Sequence, residues 1–174
     1  MRYIAQHHIF PLRYPDHSVN TGYGNVNAKL VVVHHDHVIP ERDGTSGALK
    51  RFNLLDEVYR VPSIIVQGAS QKENRQILKE LLEIVKPLLV VTSGEQATQI
   101  LKNKVTKSPK GNSSKEFLVE DLTTSRFYAI LNPEEYSFAR APARLKERGR
   151  VEWERLVSMF QKLYDKFQSN RWEV

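Results

Sequence analysis

The sequence contains no cysteine. Disulfides, thiolate zinc sites and cysteine-held iron–sulfur clusters are therefore excluded. It also contains no apolar run near the ~20 residues that a bilayer-spanning helix needs. The opening stretch MRYIAQHHIF lacks the apolar core of a secretory signal. These absences predict a cytoplasmic protein with no membrane partner. Glycine and proline number eight each and are scattered, and no linker or internal repeat stands out. The 174 residues suit a single domain, 1–174, with an irregular N-terminal segment over 1–24. What the chain does have is positive charge: 26 Lys and Arg against 20 Asp and Glu, a net +6. That is the footprint of a polyanion binder, of which nucleic acid is the commonest kind.

Short apolar runs alternate with helical patterns. Ala28–Val33, Ser63–Val66 and Leu88–Val91 read as strands buried on both faces. Residues 34–47 read as a loop, and 48–59 as a helix on the spacing of Leu49, Phe52, Leu55 and Val58. Gln71–Val85 is the clearest helix, with one stripe of Ile77, Leu78, Leu81, Leu82 and Val85. Ser70 and Glu73 are spaced as a capping box at its start. A short helix is expected from Glu95 to Leu101, a Lys-rich loop over 102–116, strands at 117–119 and 127–131, and a last helix over 151–167. This alternation predicts an α/β fold: a three-layer, doubly wound sandwich around a mainly parallel four-stranded sheet. In such sheets function collects at the carboxyl ends of the strands.

One strand end is rich in candidate chemistry. Val31-Val32-Val33-His34-His35-Asp36-His37-Val38 runs from apolar residues into three histidines and an aspartate. Alternate residues of an extended chain share a face, so His35 and His37 point together. A metal site would take its third ligand from His7, His8 or His17. A polar loop without chemistry is the plainest alternative. The third reading is a catalytic loop with Asp36 as the working carboxylate, and it depends on the rest of the chain.

Gly24-Asn25-Val26-Asn27-Ala28-Lys29-Leu30-Val31-Val32-Val33 resembles the strand that leads into the catalytic loop of the uracil-DNA glycosylase superfamily. Ile84–Ala97, IVKPLLVVTSGEQA, is similar to that family's later strand–turn–helix segment. Tyr128-Ala129-Ile130-Leu131-Asn132-Pro133-Glu134 sits where the family has its second motif, here with the Asn-Pro of the mismatch-specific thymine/uracil branch. The likeness covers residues 22–165 in order. It implies that Asp36 positions or activates water, and that His35 stands where another branch carries a Glu. His34 and His37 replace a Gly and a Pro of the loop, and Glu134 replaces a Ser.

The chemistry implied is base excision from DNA. A flipped base is read in a pocket. Cleavage of its N-glycosidic bond builds positive charge on the sugar and negative charge on the base. A carboxylate such as Asp36 meets the first, and a donor such as the Asn132 amide meets the second. The pocket positions implied are His34, His37, Phe52 and Ser63. No aromatic residue lies between Val38 and Arg51, and no Asn between Val61 and Gln67. Smaller pocket side chains imply a larger modified pyrimidine, such as hydroxymethylated or glucosylated cytosine, rather than plain uracil. DNA contacts are expected from Ser93 and Gly94, from Glu134, Tyr136, Phe138 and Arg140 after the second motif, and from Lys107 and Lys110. Arg144, Lys146, Arg148 and Arg150 form a further basic run. No cofactor or metal is expected, and the protein is expected to act as a monomer. The alternative is a catalytically inactive relative that serves as a DNA-binding or replication-accessory protein.

Overall fold

A computed structural model describes residues 16–20, 22–34, 44–102, 116–117, 119, 121–122, 125–136 and 140–171. The chain is α/β, with a mixed six-stranded sheet and, among the described residues, four α-helices. In chain order the strands are β1 (Tyr23–Gly24), β2 (Leu30–His34), β3 (Val58–Pro62), β4 (Leu89–Ser93), β5 (Glu116–Phe117) and β6 (Arg126–Ile130). The helices are α1 (Gly44–Arg51), α2 (Gln71–Val85), α3 (Glu95–Leu101) and α4 (Ala143–Arg171).

The sheet order is β1-β3-β2-β4-β6-β5. The four inner strands are mutually parallel, and the two-residue strands at each edge run antiparallel to their neighbours. The sheet therefore has six strands where four were expected, because a short strand pairs along each outer edge. β2, β3 and β4 are buried along their whole length, which is why they read as apolar runs. From β2 the chain steps outward to β3, then returns past β2 to β4. The switch point therefore lies between β2 and β4.

Two apolar clusters sandwich the sheet. Val31, Val33, Val61 and Val90 meet α2 and α3 on one face. Leu30, Val32, Val58, Leu89 and Val91 meet Leu49 of α1 and Trp153, Leu156 and Phe160 of α4 on the other. α2 has the expected bounds. Ser70 Oγ accepts from the Glu73 amide, and the Glu73 carboxylate accepts from the Ser70 amide. Lys86 ends the helix in a left-handed conformation.

Three expectations need correction. The helix expected over 48–59 is α1, which begins at Gly44 and ends at Arg51. Asn53 then turns left-handed, at φ 56°, and Val58 and Tyr59 belong to β3. The apolar spacing carried on past the helix because Leu54 and Val58 enter the same core. The strand expected at 63–66 correspondingly lies at 58–62, where Arg60 hides an otherwise apolar run. α4 starts eight residues before the expected 151, at Ala143. That first part carries no apolar stripe; Arg150 paired with Glu147 and Glu154, and Arg148 with Glu152, support it instead.

The glycines on either side of Tyr23 have a steric role. A Cβ on Gly22 would overlap the Arg60 carbonyl oxygen, and one on Gly24 the Val58 carbonyl oxygen. Both glycines have positive φ, 85° and 114°. They let β1 lie directly on β3. Gly24→Ala is expected to cost about 2 kcal/mol or more of folding stability; a urea midpoint unchanged from wild type would contradict this packing. Asn74, 2% exposed, binds the segment before α2. Its Oδ1 accepts from the amides of Ile65 and Val66, both at 2.8 Å. Asn74→Ala strands those two buried N–H groups and should cost about 2–4 kcal/mol in the same measurement.

Candidate active site at the carboxyl edge of the sheet

The carboxyl ends of β2, β3, β4 and β6 meet at one edge of the sheet. His34 ends β2, nearly buried at 9% exposure. Its carbonyl accepts from the amide of Ser63, which is fully buried. Its Nε2 accepts from Arg60 Nε at 3.0 Å. An imidazole nitrogen that accepts carries no proton, so His34 is the tautomer protonated at Nδ1. Arg60 Nη1 also donates to Ser46 Oγ at 2.7 Å, and the guanidinium lies over the Tyr23 ring, 5.5 Å from its centre.

Val33 pairs with Thr92, so the next step along both strands sets His34 beside Ser93. Ser93 is 3% exposed, and among the described residues its hydroxyl has no hydrogen-bond partner. Gly94 follows at φ 87° and donates to the Ile130 carbonyl at 2.9 Å. A Cβ on Gly94 would come within 3.4 Å of Asn132 Cβ. The turn after β4 and the turn after β6 thus lie against each other.

A buried carboxylate sets the exit from β6. Glu152 of α4, 4% exposed, accepts from the Leu131 amide at 2.7 Å and from Arg148 Nε at 3.1 Å. Asn132 comes next. Its Oδ1 accepts from the Glu134 amide at 3.1 Å, which leaves the side-chain NH2 as its donor. The Glu134 carboxylate accepts from the Gly44 amide at the start of α1. A negative charge is favourable there because the first N–H groups of a helix have no partners within it.

Of the expected site residues, His34 and Ser63 come together, as do Ser93, Gly94 and Asn132. Glu134 faces α1. Tyr136 and Phe52 both lie on Trp153: the Tyr136 hydroxyl accepts from Trp153 Nε1 at 3.0 Å, and the Phe52 ring stacks 6.2 Å away at 13°. These two rings belong to the α4-side core. Arg140 is exposed. His35, Asp36, His37, Phe138, Lys107 and Lys110 lie outside the described residues. In the further basic run, Arg148 and Arg150 are engaged in ion pairs. Arg144 and Arg148 border a hollow of about 330 Å³ beside Glu152, while a larger one, about 640 Å³, lies at the opposite edge between Lys29 and the last turns of α4. Among the described residues no group of three or more His, Asp or Glu is placed to hold a metal ion.

Sequence reasoning missed Arg60, Ser46 and Glu152. The signal for Arg60 was present, since it is a lone charge inside the run Val58-Tyr59-Arg60-Val61. Glu152 had a weaker one, an acid beside Trp153 on the helical stripe. Comparisons with known proteins add no relative: no known family's sequence profile matches the chain, and no curated protein is significantly similar to it.

Burial pushes the Tyr136 phenol up to about 12, against a smaller lowering by the Trp153 hydrogen bond. The unfolded phenol ionises near 10. Folding therefore favours the neutral form, and its contribution to stability is lost as pH rises from about 10 through 12. The ultraviolet phenolate signal of wild type minus Tyr136→Phe should appear only near the upper value. Gly149→Ala should destabilise strongly, because the new Cβ would overlap the Tyr136 ring. Free tolerance of alanine there would mean that Tyr136 does not pack on α4.

Proposed function

We propose that this protein is a DNA glycosylase with a three-layer, uracil-DNA glycosylase-like fold, which hydrolyses the N-glycosidic bond of a flipped-out modified base and leaves an abasic site. One observation carries the reading. The switch point of the sheet lies between β2 and β4, and the three motifs singled out by resemblance all fall at the carboxyl edge around it. They are the His34 strand end leading to Asp36, the Ser93-Gly94 turn, and the Asn132-Pro133 turn. Ligands of open α/β sheets bind at that point.

In this mechanism Asp36 faces the sugar, stabilises its developing positive charge and takes a proton from the attacking water. His35, its neighbour in the sequence, is assigned as a second polar group. The NH2 of Asn132 donates to the departing base. His34, Ser63 and His37 are assigned to the base pocket. The excess of positive charge draws the DNA backbone in, with Arg140 and Arg144 as exposed cations. The protein works as a cytoplasmic monomer without a cofactor. A second reading, an inactive DNA-binding relative, draws on Glu134. Its carboxylate caps α1, where the resemblance calls for a phosphate-contacting Ser.

Base release decides between them. The wild type and Asp36→Ala are incubated in chelator with DNAs carrying uracil, hypoxanthine, hydroxymethylcytosine or glucosylated hydroxymethylcytosine. The expected result is alkali-labile sites from one modified pyrimidine, reduced at least about 100-fold in Asp36→Ala. Salt-sensitive DNA binding without release from any substrate supports the inactive relative instead.

A further inference from the structure

Arg60 is 1% exposed, in the middle of a strand whose neighbours are apolar. Burying a guanidinium costs several kcal/mol before its partners are counted, so its placement calls for a reason beyond packing. The geometry supplies one. Nε and Nη1 point in two fixed directions of a rigid planar fork. One meets His34 Nε2, and the other meets Ser46 Oγ. His34 is the last residue of β2, and Ser46 lies in the first turn of α1. These two residues border the segment 35–43, which carries His35, Asp36 and His37.

The surroundings are built to keep the fork in place. Gly22 and Gly24 bring β1 onto β3, and Tyr23 between them covers the guanidinium. Ser46 is itself 1% exposed. Because the guanidinium keeps its protons at any physiological pH, Nε2 of His34 stays an acceptor while the bond lasts. His34 is then no proton donor through that nitrogen, and its ring is a fixed wall.

We propose that Arg60 is a positioning residue for the reaction, holding the end of β2 and the start of α1 in one geometry and fixing the His34 ring in its Nδ1-protonated form. This rests on the glycosylase reading, and it adds a requirement that the reading alone does not contain. The effect comes through His34 and Ser46, so Arg60 itself touches no substrate.

The test uses the full chain with Arg60→Lys, which keeps the charge and loses the fork, and Ser46→Ala, which removes one acceptor. Three quantities are read: the single-turnover rate of base release, the dissociation constant for the same DNA, and the ¹⁵N signals of the His34 ring. The expected result for Arg60→Lys is a rate about 100-fold lower, DNA affinity within about threefold of wild type, and a His34 Nε2 signal shifted by loss of its donor. Ser46→Ala should give a smaller loss of rate with the same pattern. A wild-type rate in folded Arg60→Lys overturns the proposal, as does a loss of rate matched by an equal loss of DNA affinity. If Arg60→Lys does not fold, Ser46→Ala decides by the same two criteria. If the wild type releases no base from any DNA, the glycosylase reading fails separately. The ring signals then decide the structural part alone: a His34 tautomer unchanged in Arg60→Lys overturns the hold of Arg60 on His34, and a changed one in a folded variant sustains that hold while the role in base release falls with the glycosylase reading.

Discussion

A cation with almost no access to water must be satisfied by the protein around it, and Arg60 organises the carboxyl edge for that reason. Tyr23, His34 and Ser46 come from β1, β2 and α1, and all three reach the one guanidinium on β3. Loss of any of them takes a partner from a buried charge, which costs more than losing a surface contact. The constraint spreads to the backbone. Tyr23 can lie over Arg60 only because the residues on both sides of it lack a Cβ. The short β1 edge strand is thus a consequence of what it covers.

Carboxylates do the corresponding work on the other side of the switch point. Glu152 holds the first amide after β6, and Glu134 holds the first amide of α1. Each takes up a backbone donor that the regular structure leaves without a partner. Together they connect α4, the Asn132 turn and α1. Part of the positive charge is engaged locally. Arg148 and Arg150 are tied to glutamates on their own helix, and Lys79 and Arg75 meet Asp121 on the α2 side. Each such pair removes one cation and one anion together, so the net +6 that attracts a polyanion is carried by cations outside these pairs.

The parts of the fold legible in the sequence are those whose causes are local. The Ser70–Glu73 box and the apolar stripe of α2 lie within one helix, and Val31–Val33 and Leu89–Val91 announce their burial residue by residue. The boundary between α1 and β3 was not legible. Leu49, Phe52, Leu55 and Val58 keep helical spacing across it, and only the left-handed Asn53 breaks the helix. The start of α4 was hidden because ion pairs and the Glu152 bond to Leu131 hold it there. The same division runs through the site. Ser93, Gly94 and Asn132 stand out in the sequence through the resemblance, and their two turns lie against each other in the fold. The pairing of Arg60 with His34 joins residues 26 positions apart, and no local pattern encodes it. Tyr136 shows the converse: its place after Asn132-Pro133 suggests a DNA contact, and its ring packs instead against the glycine at 149, one helix away.

The stacking of Phe52 on Trp153, with the Tyr136 hydroxyl on the indole nitrogen, also equips the molecule with an optical sensor. Trp153 is one of two tryptophans, and Trp172→Phe leaves it as the sole indole emitter. It touches the residue that follows α1 on one side and the turn beyond Asn132 on the other. A ligand that draws those two segments together changes the quenching and polarity around a single fluorophore. Any relative displacement of these two segments therefore registers as a change in emission, without a label.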